Sequence, residues 1–179
     1  MRNKTLVIGL GNPILGDDAA GIWVAREILC REEPLPNVDV VEACAGGLDL
    51  LDLMEGYGSV IIADAIQTAE TKTGAIYELA LDDLGAINYS WNQRNLNLRS
   101  TIDLGRRIGY AVPEHITIYG IGIVGAYTFS ETLSKEVGEA VHFLAELIIE
   151  RIPESGVERL NSVDSRGFAK QTQPVGCWR

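Results

Sequence analysis

Short apolar runs alternate along the chain with stretches whose apolar residues recur every three or four positions, the pattern of strands interleaved with amphipathic helices. Leu6 to Leu10 predicts a buried strand that ends in the turn Gly11-Asn12-Pro13. Asp17-Asp18 then opens a helix whose Ile22, Ala25, Ile28 and Leu29 recur at helical spacing. Asn37 to Val41 reads as a second strand, and Gly46-Gly47 leads into a short helix through Leu50, Leu51 and Met54. Ser59-Val60-Ile61-Ile62-Ala63 is apolar almost throughout, as a central parallel strand must be when helices cover both its faces. Asp64 stands at its far end.

Thr73-Gly74 predicts a turn before a strand over Ala75 to Leu79, while Leu81 to Gln93 has no period and predicts an irregular excursion. Leu98, Ile102 and Ile108 predict a helix ending near Gly109. Pro113 bars helix beyond it, because its ring removes a backbone donor, and Ile116, Ile118 and Ile121 fit a strand. Leu133, Val137, Val141, Leu144 and Ile148 step by four, four, three and four, a helical stripe with Ser134 placed to cap it. Glu136 falls in its first turn, where the helix dipole favours an anion. The pattern as a whole predicts an α/β fold: a single doubly wound domain over residues 1–152, a mostly parallel twisted sheet with helices on both faces. From Pro153 the composition turns to Ser, Gly, Gln, Pro and mixed charge, so 153–179 is expected to be a mobile C-terminal tail, with Phe168 and Trp178 as its aromatic side chains.

Composition narrows the function. The 179 residues are 46% hydrophobic, enough to bury a core without disulfides or a structural metal. Fifteen Lys plus Arg stand against 25 Asp plus Glu, a net charge of −10, which argues against a nucleic-acid backbone as partner. Cys30, Cys44 and Cys177 form no CxxC pair, so neither a zinc ribbon nor a disulfide framework is indicated and a reducing cytoplasm is the expected location. Cys44 is expected to be a buried small residue, since no histidine near it in sequence would activate a thiolate. No apolar stretch approaches the roughly 20 residues of a membrane helix, and no membrane partner is expected.

The candidate chemistry lies in the first loop and at Asp64. Gly9-Leu10-Gly11-Asn12-Pro13-Ile14-Leu15-Gly16-Asp17-Asp18 joins a strand to a helix, as a dinucleotide-binding turn would. The Rossmann spacing needs glycine where Ile14 stands, and two aspartates at the helix start repel a pyrophosphate. The opening Gly-Leu-Gly-Asn-Pro is also shared with peptidyl-tRNA hydrolases, but their following Tyr, Thr-Arg-His-Asn sequence is missing. One aspartate is accounted for by helix capping; the second, and Asp64 at the carboxyl end of a central strand, where open α/β sheets bind ligands, are candidates for function. If the first and third strands are neighbours, Asp18 and Asp64 face one crevice and form a hard-oxygen cation site short of a third ligand.

The segment from Gly9 to Gly21, followed by Val60-Ile61-Ile62-Ala63-Asp64-Ala65, resembles the maturation endopeptidases that process the large subunit of [NiFe] hydrogenases. The likeness continues through Gly46-Gly47-Leu48-Asp49-Leu50-Leu51, Pro113 to Gly120 and the last helix, from Thr5 to Ile152. It implies a doubly wound α/β domain acting in the cytoplasm on a large-subunit precursor, from which a short C-terminal extension is removed after nickel insertion. It also implies that Asp18 and Asp64 bind the divalent metal together with a histidine, and serve in catalysis.

The chain departs from that pattern at the histidine. The corresponding stretch is Gln93-Arg94-Asn95-Leu96-Asn97-Leu98, and the chain's two histidines, His115 and His142, are expected at the amino end of the sheet and on the last helix. Asp18 and Asp64, with Asn95 or Gln93, would hold nickel weakly, so Ni2+ is expected to arrive on the precursor's own thiolates rather than as a resident cofactor. Arg94 would repel a bare cation and is a candidate for anchoring a substrate carboxylate, or marks a paralogue with altered duty. Gly46 and Gly47 keep the permissive backbone that a loop beside an extended peptide needs, and with Arg94 and Asn95 make up the expected substrate contacts. A catalytically silent chaperone or binding module for the same precursor is the alternative that the missing histidine leaves open.

Overall fold

Thr5–Leu10 forms strand β1, buried along its whole length, and the sheet is built outward from it in the computed structural model, which describes residues 4–44, 46–67, 71–81, 98–125 and 129–152. The other strands are β2 (Val38–Ala43), β3 (Ser59–Ile66), β4 (Ile76–Ala80) and β5 (His115–Gly122). They make one five-stranded sheet in the order β2-β1-β3-β5-β4. All neighbours pair in parallel except β4, which runs antiparallel to β5 at the edge.

Helices cover both faces, as the apolar pattern predicts. Val7, Ile61, Ala63 and Ile121 pack under α1 (Ala20–Leu29) and α4 (Lys135–Arg151). Leu6, Ile8, Val60, Ile62 and Ile118 pack under α2 (Leu48–Met54) and α3 (Leu98–Ile108). The alternation follows from the strand period of two, which sends successive side chains to opposite faces. The helical stripe is buried from Val137 onward, with Val137, Leu144 and Ile148 fully enclosed, while Leu133 lies ahead of the helix and packs against the core only in part.

β1 connects leftward to β2, whereas β3 connects rightward toward β5. The carboxyl ends of β1 and β3 therefore flank the point where the winding reverses, the place where an open α/β sheet leaves a crevice. The start of α1 comes unusually close there. A Cβ on Gly21 would collide with the carbonyl oxygens of Leu10 and Ala63, so only glycine lets the helix seat against both strand ends.

Apart from shifts of one residue at strand ends, three boundaries near the acids differ from the sequence reading. β2 extends to Ala43, because it pairs with β1 through Leu10↔Ala43. The helix expected from Asp17 starts at Ala20, after a 3₁₀ turn over Gly16–Ala19. β3 continues three residues past Ala63, so Asp64 lies within the strand rather than at its end. The cause is the neighbour: β5 goes on pairing through Asp64↔Gly120 and Ile66↔Gly122 after β1 has turned away at Gly9↔Ala63. No described helix is long and apolar enough to cross a membrane.

Candidate active site

The loop that leaves β1 doubles back on itself. Gly11 takes φ of 151°, and its amide donates to the Ala43 carbonyl on β2. The Asn12 amide donates to the Asp18 carbonyl, and the Asp18 amide in turn donates to Leu15. A Cβ on Gly11 would collide with that Asp18 carbonyl, so the fold-back requires glycine. Its product is the 3₁₀ turn carrying Asp18, packed against β3.

Asp18 and Asp64 are both buried, 7% and 8% exposed, at the reversal point between β1 and β3. Asp64 follows the alternation of Val60 and Ile62, on the side of the sheet that α2 and α3 cover. Its Oδ1 accepts the Ala65 amide at 2.8 Å. Burial pushes its pKa up to about 8; the Ala65 hydrogen bond opposes the rise and the nearby charge of Asp18 adds to it. Among the described residues no cation offsets that rise, so the protonated form of Asp64 is the favoured one toward neutral pH. A divalent cation seated between the two buried carboxylates would take the place of that proton.

Asp17 has a different duty. Its Oδ1 accepts the backbone amide of Ser134 at 2.6 Å, at the N-terminus of α4. The expectation that one of the two aspartates caps the helix they open is corrected: neither the 3₁₀ turn nor α1 has a side-chain cap, and the Asp17 acceptor serves a helix distant in sequence. Ser134 does occupy the N-cap position of α4, but its hydroxyl is buried without a hydrogen-bond partner and the cap is supplied by Asp17 instead. Ser130 is stitched to the same loop, its amide donating to Ile14 and its carbonyl accepting from Gly16. Sequence reasoning missed this second loop, since nothing local in Ser130 to Ser134 signals its partner.

Gly46 and Gly47 sit at the same carboxyl edge, after β2, and Gly47 adopts φ of 62° before α2 begins. Cys44, expected to be buried, is exposed. β2 is an edge strand that ends at Ala43, so the residue after it leaves the sheet. Gln93, Arg94 and Asn95, and residues 153–179 with Phe168 and Trp178, lie outside the described residues. His115 pairs with Ser59 at the amino edge, far from the acids, and His142 lies on α4 with Nδ1 3.1 Å from Glu27. Among the described residues no three His, Cys, Asp or Glu side chains gather to hold a metal. Asp18 and Asp64 thus fit a shared role toward a cation that brings ligands of its own, and fall short of a complete site for a transition ion.

The hydrogenase maturation protease family model HycI matches residues 22–151. The chain belongs to that family. The matched region contains Asp64, and Asp18 lies just ahead of it. The hydrogenase 2 maturation protease of Escherichia coli K12 is 27% identical over 165 residues, covering 88% of this chain and 95% of that protein. A Methanocaldococcus jannaschii protein named as a candidate hydrogenase maturation protease is 31% identical, covering 84% and 97%. Among solved structures, the hydrogenase maturating endopeptidase HybD from E. coli superposes with a TM-score of 0.73 at 26% identity, covering 87% of this chain and 95% of that one. The [NiFe] hydrogenase maturation protease HycI from Thermococcus kodakarensis shares the fold, with a TM-score of 0.60 at 23% identity, covering 83% and 91%. The α/β architecture read from the sequence is thus the architecture of this hydrogenase maturation protease family.

Proposed function

We propose that this hydrogenase maturation protease removes a C-terminal extension from the nickel-loaded large-subunit precursor of a [NiFe] hydrogenase, in the cytoplasm, and that Asp18 and Asp64 recognise the nickel. The observation that carries the reading is the pair of buried carboxylates at the reversal point of the sheet, in a chain of this family. Nickel is here part of the substrate. Held already by thiolates of the precursor, it needs only two further oxygen donors to dock, which is the number the described residues bring together. Docking displaces the proton of Asp64 and leaves a carboxylate beside the scissile peptide, suited to orient a water or take its proton. Gly46 and Gly47 flank the path of the extended peptide, and Arg94 and Asn95 complete the substrate contacts.

One observation favours a second reading, a binding module that recognises the loaded precursor without cutting it: the chain's histidines, His115 and His142, are remote from the acid pair. Mass spectrometry of a precursor from the same cell, loaded with nickel or empty, separates the two. Loss of a C-terminal peptide from the loaded form alone is the expected result. An intact precursor in stable, nickel-dependent complex with this protein would establish the binding module instead.

A further inference from the structure

Of the large apolar side chains that the described residues leave in solvent, Ile14, Leu48, Val124 and Phe129 all stand at the carboxyl edge of the sheet, the edge that holds Asp18 and Asp64. Ile14 lies in the loop after β1, Leu48 opens α2 beyond β2, Val124 follows β5 and Phe129 precedes α4. Phe129 is 81% exposed and Val124 62%, so neither is a margin of the core. Leu29 and Ile108 belong to the C-terminal ends of α1 and α3, which return to the opposite edge, and Leu104 and Phe143 lie midway along α3 and α4.

The patch around Ile14 and Phe129 is preformed. Leu15 and Ser130 make a parallel bridge, the Ser130 amide donates to the Ile14 carbonyl at 3.1 Å, and the Gly16 amide donates to the Ser130 carbonyl at 2.7 Å. Ile14 and Phe129 each immediately precede a bridged residue, so they leave equivalent positions of two tied backbones. Asp17 fastens the far end of the second loop through Ser134. A pinned apolar surface loses little conformational freedom on binding, and an aromatic beside an aliphatic at the mouth of a polar site is the composition of an interface core.

We infer that Ile14, Phe129 and Val124, with Leu48 on the far flank, form the docking surface for an extended segment of the precursor that carries apolar side chains next to the scissile bond; the inference rests on the proposed endopeptidase function. The occupant is a polypeptide of the substrate because the surface is continuous with the acid pair: the loop that presents Ile14 also carries Asp18. Charge decides against a second copy of this chain. The protein carries −10, with Glu131 two residues from Phe129 and Asp49 beside Leu48, so an equally acidic copy is repelled and a segment with a basic flank is attracted.

The test uses the full chain and the nickel-loaded large-subunit precursor of the same organism as probe, with binding and cleavage measured separately on Phe129→Ser, Ile14→Ser and the double variant. Phe143→Ser, an equally hydrophobic exposed change away from this edge, serves as control, and thermal melting verifies that each variant folds. Phe129→Ser is expected to raise Kd and KM by about 10-fold or more, as loss of an aromatic anchor does, with kcat within about 2-fold. Phe129→Leu should recover part of the loss, and Phe143→Ser should move neither constant. An unchanged Kd in the double variant while the parent cleaves overturns the docking surface and leaves the endopeptidase reading standing. Phe129-dependent binding without a shortened product upholds the docking surface and overturns the endopeptidase. Equal weakening by Phe143→Ser, or no binding by the parent, overturns the docking surface.

Discussion

The Asp17 carboxylate accepts the backbone amide of Ser134 at 2.6 Å across 117 positions of sequence, so the residue next to Asp18 anchors the start of α4 to the loop that carries the acid pair. Of two adjacent aspartates with the same local surroundings in sequence, Asp17 thereby serves the fold, and Asp18 is the one proposed to recognise the nickel. Asp17→Ala should destabilise the protein by about 1–2 kcal/mol in urea unfolding, the cost of a lost cap. Asp17→Asn keeps an acceptor oxygen and should recover most of that loss.

Asp18→Asn and Asp64→Asn should each leave the fold intact and abolish nickel-dependent processing, because an amide is a poor partner for a cation and cannot take a proton. Full cleavage by either variant, followed by mass spectrometry of the precursor, would remove both residues from the mechanism.

The buried Asp64 also makes stability depend on pH in the free protein. Its folded pKa of about 8 lies above the 3.8 of an ordinary aspartate, so the folded state binds more protons between those values and stability falls as pH rises through that window. Below the window the group is neutral in both states and the penalty vanishes. Asp64→Asn should therefore gain stability over the parent progressively from about pH 4 to about pH 8, by on the order of a few kcal/mol, read from urea midpoints at several pH values. A constant difference across that range would show that Asp64 ionises normally.

Two glycines in helices should respond oppositely to alanine. Gly21→Ala forces a methyl into the Leu10 and Ala63 carbonyls and should cost several kcal/mol or prevent folding. Gly138 in α4 has nothing within 4 Å of an added Cβ, and Gly138→Ala should stabilise by about 0.5–1 kcal/mol through helix propensity. Thermal melting of the pair checks both signs.

At the amino edge, Asp39 accepts the Tyr57 hydroxyl at 2.8 Å and pairs with Lys4 at 3.0 Å. The Tyr57 hydrogen bond and then Lys4 hold its carboxyl below the usual range, so its contribution is present above the unfolded pKa and is lost as pH falls through the folded one. Tyr57→Phe should cost about 1 kcal/mol near neutral pH and less in acid, with no change in processing, since it lies at the edge opposite the acid pair. Urea unfolding at neutral and acid pH, beside a cleavage assay, tests both parts.

The alternation of apolar runs and helical stripes determined the elements, and the buried face of α4 could be read residue by residue, because burial imposes the periods of strand and helix locally. The position of Asp64 was legible for the same reason: a carboxylate that follows an unbroken apolar run is carried by a central strand to the carboxyl edge of the sheet. Only the tertiary structure decided what depended on neighbours from elsewhere in the chain. β3 outlasts β1 because β5 keeps pairing with it, Cys44 surfaces because β2 is an edge strand, and Asp17 is claimed by Ser134 through a loop that no local pattern announces. Local periodicity carries no record of which segments meet. Hydrogen bonds between loops far apart in sequence, and the collision that reserves Gly21 for glycine, exist only once the sheet has brought β1 and β3 side by side.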